Sequence, residues 1–174
     1  MQSAVSAEVN PQSKAIQVMH VTYKTRAKFE DVVSRLEAQL GRHDVLAYQE
    51  LVKDPKKAKD VEKIIAAQAG SSGLMIFAIY DHGGLLTIKK GKAQNAKQYI
   101  IGNPLVAATM TEHDIGAALY APLRMLVYQT SDGEVRIEYD LPSSLFGQFG
   151  NPDIDAVAKD LDRKMSHLVS GAIN

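Results

Sequence analysis

Two β-prone runs joined by an Asp-Gly turn constrain this chain more than any other feature. Leu123 to Gln129 and Glu134 to Tyr139 flank Thr130-Ser131-Asp132-Gly133, and Asp-Gly at such a junction supplies the positive φ that a tight hairpin needs. In the second run Val135, Ile137 and Tyr139 alternate with Arg136, Glu138 and Asp140. Successive strand side chains point to opposite faces, so one face of this hairpin is dry and the other wet. A sheet of that kind buries its dry face under helices, which predicts a two-layer α+β fold with helices packed on one face of a mainly antiparallel sheet. At 174 residues, 45% of them hydrophobic, the chain has enough apolar surface for one core.

The remaining periodicities supply the layers. Ile16 to Tyr23 reads as a strand, and Phe29, Val32, Val33, Leu36 and Leu40 fall at helical spacing over Arg26 to Leu40, with Thr25 as the expected cap and Gly41 as the stop. His43 to Val52 fits either a short strand or a helical turn, and Asp54-Pro55 breaks it. A helix runs from Asp60 to Ala69, closed by Gly70. Leu74 to Tyr80 is apolar throughout, which predicts a strand at the sheet centre, ended by Asp81-His82-Gly83-Gly84. Gly91 to Ala96 reads as a loop, Gln98 to Ile101 as a strand ended by Gly102-Asn103-Pro104, and Leu105 to Tyr120 as one helix. After the hairpin Pro142 ends the strand, and Ile154, Val157, Ala158, Leu161, Met165, Leu168 and Val169 form the stripe of a long last helix. Residues 1–14 read as a flexible tail and 15–174 as a single α+β domain.

Charge and composition narrow the function classes. Lys plus Arg and Asp plus Glu both number 20, so no net field draws the chain to nucleic acid or to an anionic membrane. The local lysine run Lys53, Lys56, Lys57, Lys59 and Lys63 is interspersed with acids and lacks aromatic residues, as a solvated surface does. There is no cysteine, which removes thiolate catalysis, disulfides and cysteine-held metals. No apolar window is long enough for a membrane-spanning helix. Ala4-Val5-Ser6-Ala7 resembles the tail of a signal-peptidase site, so both a cytoplasmic and a mature exported protein fit.

Gly73 to His82 with its Asp81-His82 end, Ile101-Gly102-Asn103-Pro104, Ala121-Pro122-Leu123 before the hairpin, Asp132-Gly133 within it and Tyr139-Asp140-Leu141-Pro142 after it follow one another in order. In that order they resemble the prokaryotic family called domain of unknown function 302, over roughly Thr25 to Ser170. The resemblance implies a TATA-box-binding-protein-like α+β fold without DNA binding, a homodimer, and no established activity. Ala121-Pro122 stands where the family usually has Leu-Pro, and Gly83-Gly84 where it has small helix formers.

Candidate chemistry gathers at strand ends. Asp81 and His82 could act as a general base, metal ligand or ligand contact, or could merely cap a turn. Gly102 and Asn103 could hold a polar ligand at the start of a helix, or Asn103 could be its N-cap. The two motifs share a pocket if their strands run parallel, and lie at opposite edges if antiparallel. Tyr139, with Tyr128, flanks the hairpin either as pocket lining or as cross-strand core. The five histidines show no metal-ligand spacing, Glu112-His113-Asp114 fits a solvated turn, and no phosphate loop, dinucleotide fingerprint or nucleophile elbow occurs. The best-supported expectation is a small-ligand-binding or sensing domain with Asp81, His82, Gly102, Asn103 and Tyr139 as candidate contacts. A small enzyme built on His82 and Asp81, and a protein-interaction scaffold, are the alternatives.

Overall fold

In the computed structural model, which describes residues 11–53 and 58–174, the hairpin strands sit in the middle of the sheet. The strands are β1 (His20–Thr25), β2 (Gly41–Arg42), β3 (Met75–Asp81), β4 (Ala96–Gly102), β5 (Leu123–Gln129) and β6 (Val135–Asp140), in the spatial order β1-β6-β5-β4-β3-β2. Every neighbouring pair is antiparallel except β2 with β3. Residues 1–10, which include Ala4 to Ala7 and most of the expected tail, and the Asp54-Pro55 break with Lys56 and Lys57 lie outside the described residues.

The alternation read from the hairpin organises the fold. Val135, Ile137 and Tyr139 are buried, and Ile137 and Tyr139 pair with Val127 and Met125, which are buried too. Tyr99 and Ile101 of β4 and Tyr23 and Val21 of β1 extend the same dry face. Helices α1 (Phe29–Ala38), α5 (Pro104–Thr111), α6 (Pro142–Phe146) and α7 (Pro152–Ile173) form the layer over it. The α7 stripe Ile154, Ala158, Leu161, Met165, Leu168, Val169 and Ala172 is buried along the helix. At roughly 1.5–3 kcal/mol for each large apolar side chain taken out of water, this stripe and the sheet face it meets dominate the fold's stability.

Several elements differ from the sequence reading, each for a local reason. Thr25 does not cap α1: its hydroxyl accepts from the Ala27 backbone N–H and Lys28 occupies the cap without a side-chain bond. His43 to Val52 resolves into α2 (Val45–Val52), started by the Asp44 carboxylate accepting from Ala47 N–H. Next along the chain comes α3 (Ala58–Gln68). Strand β3 is not central: its outer neighbour is the two-residue β2, and its apolar character comes from a second environment described below. Asp81 ends β3 by starting a helix, α4 (His82–Lys90), instead of a turn. Leu105 to Tyr120 splits into α5 and a 3-10 helix (Ile115–Tyr120), because Asp114 caps the second piece through Gly116 N–H. Pro142 ends β6 and at the same time opens α6.

The edge at β2 depends on two glycines. The backbone of Gly41 passes so close to Gln68 and Gly70 that a Cβ on Gly41 would meet Gln68 O, and one on Gly70 would meet Gln39 O. The crossing is tied by Gly41 N–H to Leu74 O at 2.9 Å and Gly70 N–H to the same oxygen at 3.1 Å. Neither backbone can yield without moving a strand or a helix end. Gly41→Ala is expected to destabilise the protein by about 3 kcal/mol or more, the upper range for overpacking, as measured by urea denaturation; an effect below about 1 kcal/mol would show that the crossing relaxes freely.

Candidate functional site

Because β3 and β4 are antiparallel, with Met75 opposite Gly102 and Asp81 opposite Lys97, the two candidate motifs stand at opposite ends of the strand pair. At about 3.4 Å per residue they are roughly 20 Å apart. They do not share a pocket.

At one end, Asp81 accepts from Gly84 N–H at 2.7 Å as the N-cap of α4. Its carboxylate is therefore engaged with the backbone and does not orient the His82 ring. The His82 side chain is exposed and bonds Gln98 Oε1 through Nε2 at 3.2 Å. With Leu85, Leu86, Leu126, Tyr128 and Glu138 it borders a depression on the face of the sheet opposite the main helix layer. Gly83 is what lets α4 lie so close, since a Cβ there would meet Gln94 O and Ala96 N. Tyr128 donates to Glu138 at 2.9 Å on this face, and burial followed by that bond raises its pKa. His20 stands further along the same face, its pKa raised chiefly by the Asp140 carboxylate 3.1 Å away.

At the other end, Asn103 is spent on structure. Its Oδ1 accepts from Leu105 N–H at 2.9 Å, capping α5, and its Nδ2 donates to Gly73 O at 2.9 Å, tying the β4–α5 junction to the turn before β3. What opens beside this junction is an apolar cleft of about 280 Å³. Tyr48 of α2 and Phe77 of β3 line it together with Gly102, Asn103, Pro104, Val106, Ala107 and Met110. Thr111, Ala118, Pro122, Leu123, Phe146 and Leu161 line it too, and among the described residues no charged side chain does. Here is the second environment of β3: Met75 and Ile76 enter the core, whereas Phe77 turns into the cleft and stacks against His43, ring centroids 4.3 Å apart.

Tyr139 belongs to neither region. It is 3% exposed, stacks on Tyr23 at 6.3 Å in the closed core, and burial pushes its pKa up. The sequence reading missed Tyr48, Phe77 and Phe146, whose apolar side chains look like core in any pattern; His43, set beside them, carried no motif. Among the described residues no group of three or more His, Asp or Glu side chains is placed to hold a metal ion, and no helix is long and apolar enough to cross a membrane.

The pattern described as domain of unknown function DUF302 matches residues 48–172, a span that includes the cleft lining from Tyr48 to Leu161. The chain belongs to the DUF302 family. No curated protein matches it. Among solved structures it is similar to the crystal structure of an uncharacterized conserved DUF302 protein from Bacillus stearothermophilus. That likeness has a TM-score of 0.60 at 16% identity, over 88% of this chain and 97% of the other. It shows a shared fold, with the sheet and helix layer retained while most side chains differ. The DUF302 family carries no established activity, so the chemistry has to be read from the site.

The two ends of the strand pair respond differently to truncation. Asn103→Ala is expected to cost roughly 2 kcal/mol, the sum of a lost cap and a lost cross-link, whereas His82→Ala should stay within about 0.5 kcal/mol because the ring is exposed. Chemical denaturation of both variants distinguishes them; equal losses would contradict these assignments.

Proposed function

We propose that this DUF302 chain binds a small, uncharged, largely apolar molecule in the cleft between α2, α5 and the β3–β4 end. The observation that carries the reading is the lining itself. Three aromatic side chains, Tyr48, Phe77 and Phe146, and four aliphatic or thioether ones, Val106, Met110, Leu123 and Leu161, face one opening without a charge among them. Ligand sites are typically concave and apolar with few polar groups, and a space of about 280 Å³ suits a bicyclic aromatic or a medium-length acyl chain. The helix start at Asn103 offers no anion site. Pro104 has no N–H, and Leu105 N–H already donates to Asn103. An ionised ligand would lose its hydration without a partner.

Of the candidate contacts, Gly102 and Asn103 border this cleft. Asp81 and His82 lie outside it, and an enzymatic role for His82 has lost its orienting carboxylate to the α4 cap. Binding is thus the reading the residues support, ahead of general-base catalysis.

A fluorescent neutral probe such as N-phenyl-1-naphthylamine tests it. The wild-type protein is expected to bind the probe at micromolar concentration, and Ala107→Phe, which places a ring in the cleft from the α5 side, is expected to weaken binding at least tenfold with little change in stability. Probe binding that is absent, or indifferent to Ala107→Phe, removes the proposal.

A second reading, assembly as a homodimer, is favoured by the sheet face opposite the main helix layer. Ile100, Leu126 and Tyr128 lie there half-buried, and Leu85, Ile88 and Leu119 beside them are 66%, 84% and 82% exposed. Exposed apolar side chains in such number mark an interaction surface. Arg124 and His20 share the face with Glu138 and Asp140, so it carries both signs of charge and complements itself across a two-fold axis, as an isologous interface requires. We infer that a second copy covers it. Sedimentation velocity is expected to give twice the 19.0 kDa chain mass for the wild type and the single mass for Leu126→Glu; a wild-type monomer at tens of micromolar would overturn this.

A further inference from the structure

His43 sits where the sheet edge hands over to α2, and its environment is unlike that of the other histidines. Its backbone N–H donates to Ile76 O at 3.0 Å, continuing the β2–β3 pairing by one residue. Its ring lies 4.3 Å from Phe77 and 5.2 Å from Tyr48, centroid to centroid, and both of those rings line the cleft. Gln68 at the end of α3 stands beside the ring, and its side chain accepts from Asp44 N–H at 3.2 Å. The ring atom Nδ1 is closed off from solvent and has no hydrogen-bond partner.

Helix α2 itself is lightly seated. Leu51 is its single buried residue, while Val45, Leu46 and Val52 are exposed. Its start is held by the Asp44 cap and by the His43 contacts, and its Tyr48 forms one wall of the cleft. A helix with one buried anchor and an apolar outer surface opens at low cost compared with global unfolding.

We propose that α2 is a hinged cover over the apolar cleft and that the neutral His43 ring, packed between Phe77 and Tyr48, is the latch that holds it shut. The proposal rests on the ligand-binding reading for its purpose, though not for its mechanics. Protonating the ring puts a charge on a group whose closed-off Nδ1 has no acceptor to receive an N–H. Among the described residues on the elements around the ring, Asp44 is the charged one beside it; Gln68 and Phe77 are uncharged, and Arg42 is turned to Glu37 at 3.2 Å. Burial lowers the His43 pKa in spite of Asp44 and Gln68, both of which favour the charged form. A group whose folded pKa is depressed in this way binds its proton more readily when the cover is open. The closed state is fully held above the ordinary histidine pKa and is weakened as pH falls below it, by up to tenfold per pH unit for one proton. The cleft therefore admits or releases its ligand more readily in mildly acidic surroundings.

Amide hydrogen exchange, corrected for the intrinsic pH dependence of the chemistry, tests the latch on the unliganded protein. Between pH 7.5 and pH 5.5 the protection of α2 amides around Tyr48 and Leu51 is expected to fall severalfold in the wild type, with about tenfold as the ceiling for one histidine of ordinary pKa in the open state, while α7 amides hold theirs. In His43→Phe, which keeps a ring against Phe77 and cannot take a proton, protection should be independent of pH. Wild-type α2 protection that does not change, or an equal fall in His43→Phe, overturns the latch. Titration with N-phenyl-1-naphthylamine separates the two proposals. Faster probe release at pH 5.5 in the wild type alone supports both, and α2 loosening without probe binding at either pH supports the latch and removes the ligand reading of the cleft.

Discussion

The burial of one sheet face by α7 is the interaction on which the rest of the structure depends. Val127, Ile137, Met125 and Tyr139 offer a dry surface two strands wide, and Ile154, Ala158, Leu161, Met165 and Val169 close over it. Small Ala158 and Ala172 are interspersed with long Met165 and Leu168, which lets the helix interdigitate with the pleat at interior density. That contact fixes the position of β5 and β6. Pairing β4 onto β5 then carries Gly102 and Asn103 to the rim of the core, where α5 begins. The cleft opens between α5, the segment before β5, Phe146 and Leu161.

The sheet edge is governed by a different constraint. Gly41 and Gly70 cross at backbone contact and share Leu74 O, and this crossing is what swings α2 and α3 to the side of β3. Phe77, one residue past the point where β2 stops pairing, is thereby covered by His43 and faces the cleft. Strand β3 is apolar along its length because one end feeds the core and the middle feeds the cleft. A central position in the sheet, with full-length strands on both sides, would have produced the same pattern by another route.

Polar groups that look catalytic in a linear reading are largely consumed by backbone geometry. Asp81, Asp114 and Asn103 each accept from a backbone N–H at the start of a helix. Each bond satisfies a donor that a helix start leaves open. The cleft is left without such obligations and is apolar, and the opposite sheet face exposes Leu85, Ile88 and Leu119 beside its charged groups.

Much of the fold was legible along the chain. The Asp132-Gly133 hairpin, the alternation in Val135 to Asp140, the α1 and α7 stripes and the family-bearing turns depend on periodicity and turn chemistry, which are properties of neighbouring residues. The helical state of His82 to Lys90 was not legible, since Gly83-Gly84 disfavours a helix on propensity and only the close approach to Ala96 calls for glycine there. The candidate site was legible in part. Gly102 and Asn103 mark the cleft, yet Tyr48, Phe77 and Phe146 carry no signal that separates pocket from core. Sequence by itself determined most of the strands and helices and which sheet face is dry, because those follow from local spacing and amphipathicity. Only the tertiary structure decided that β3 and β4 run antiparallel, that Asn103 ties the β4–α5 junction to Gly73, and that an aromatic group encloses an opening. Those outcomes depend on contacts between residues far apart in the chain, and no local pattern encodes such contacts.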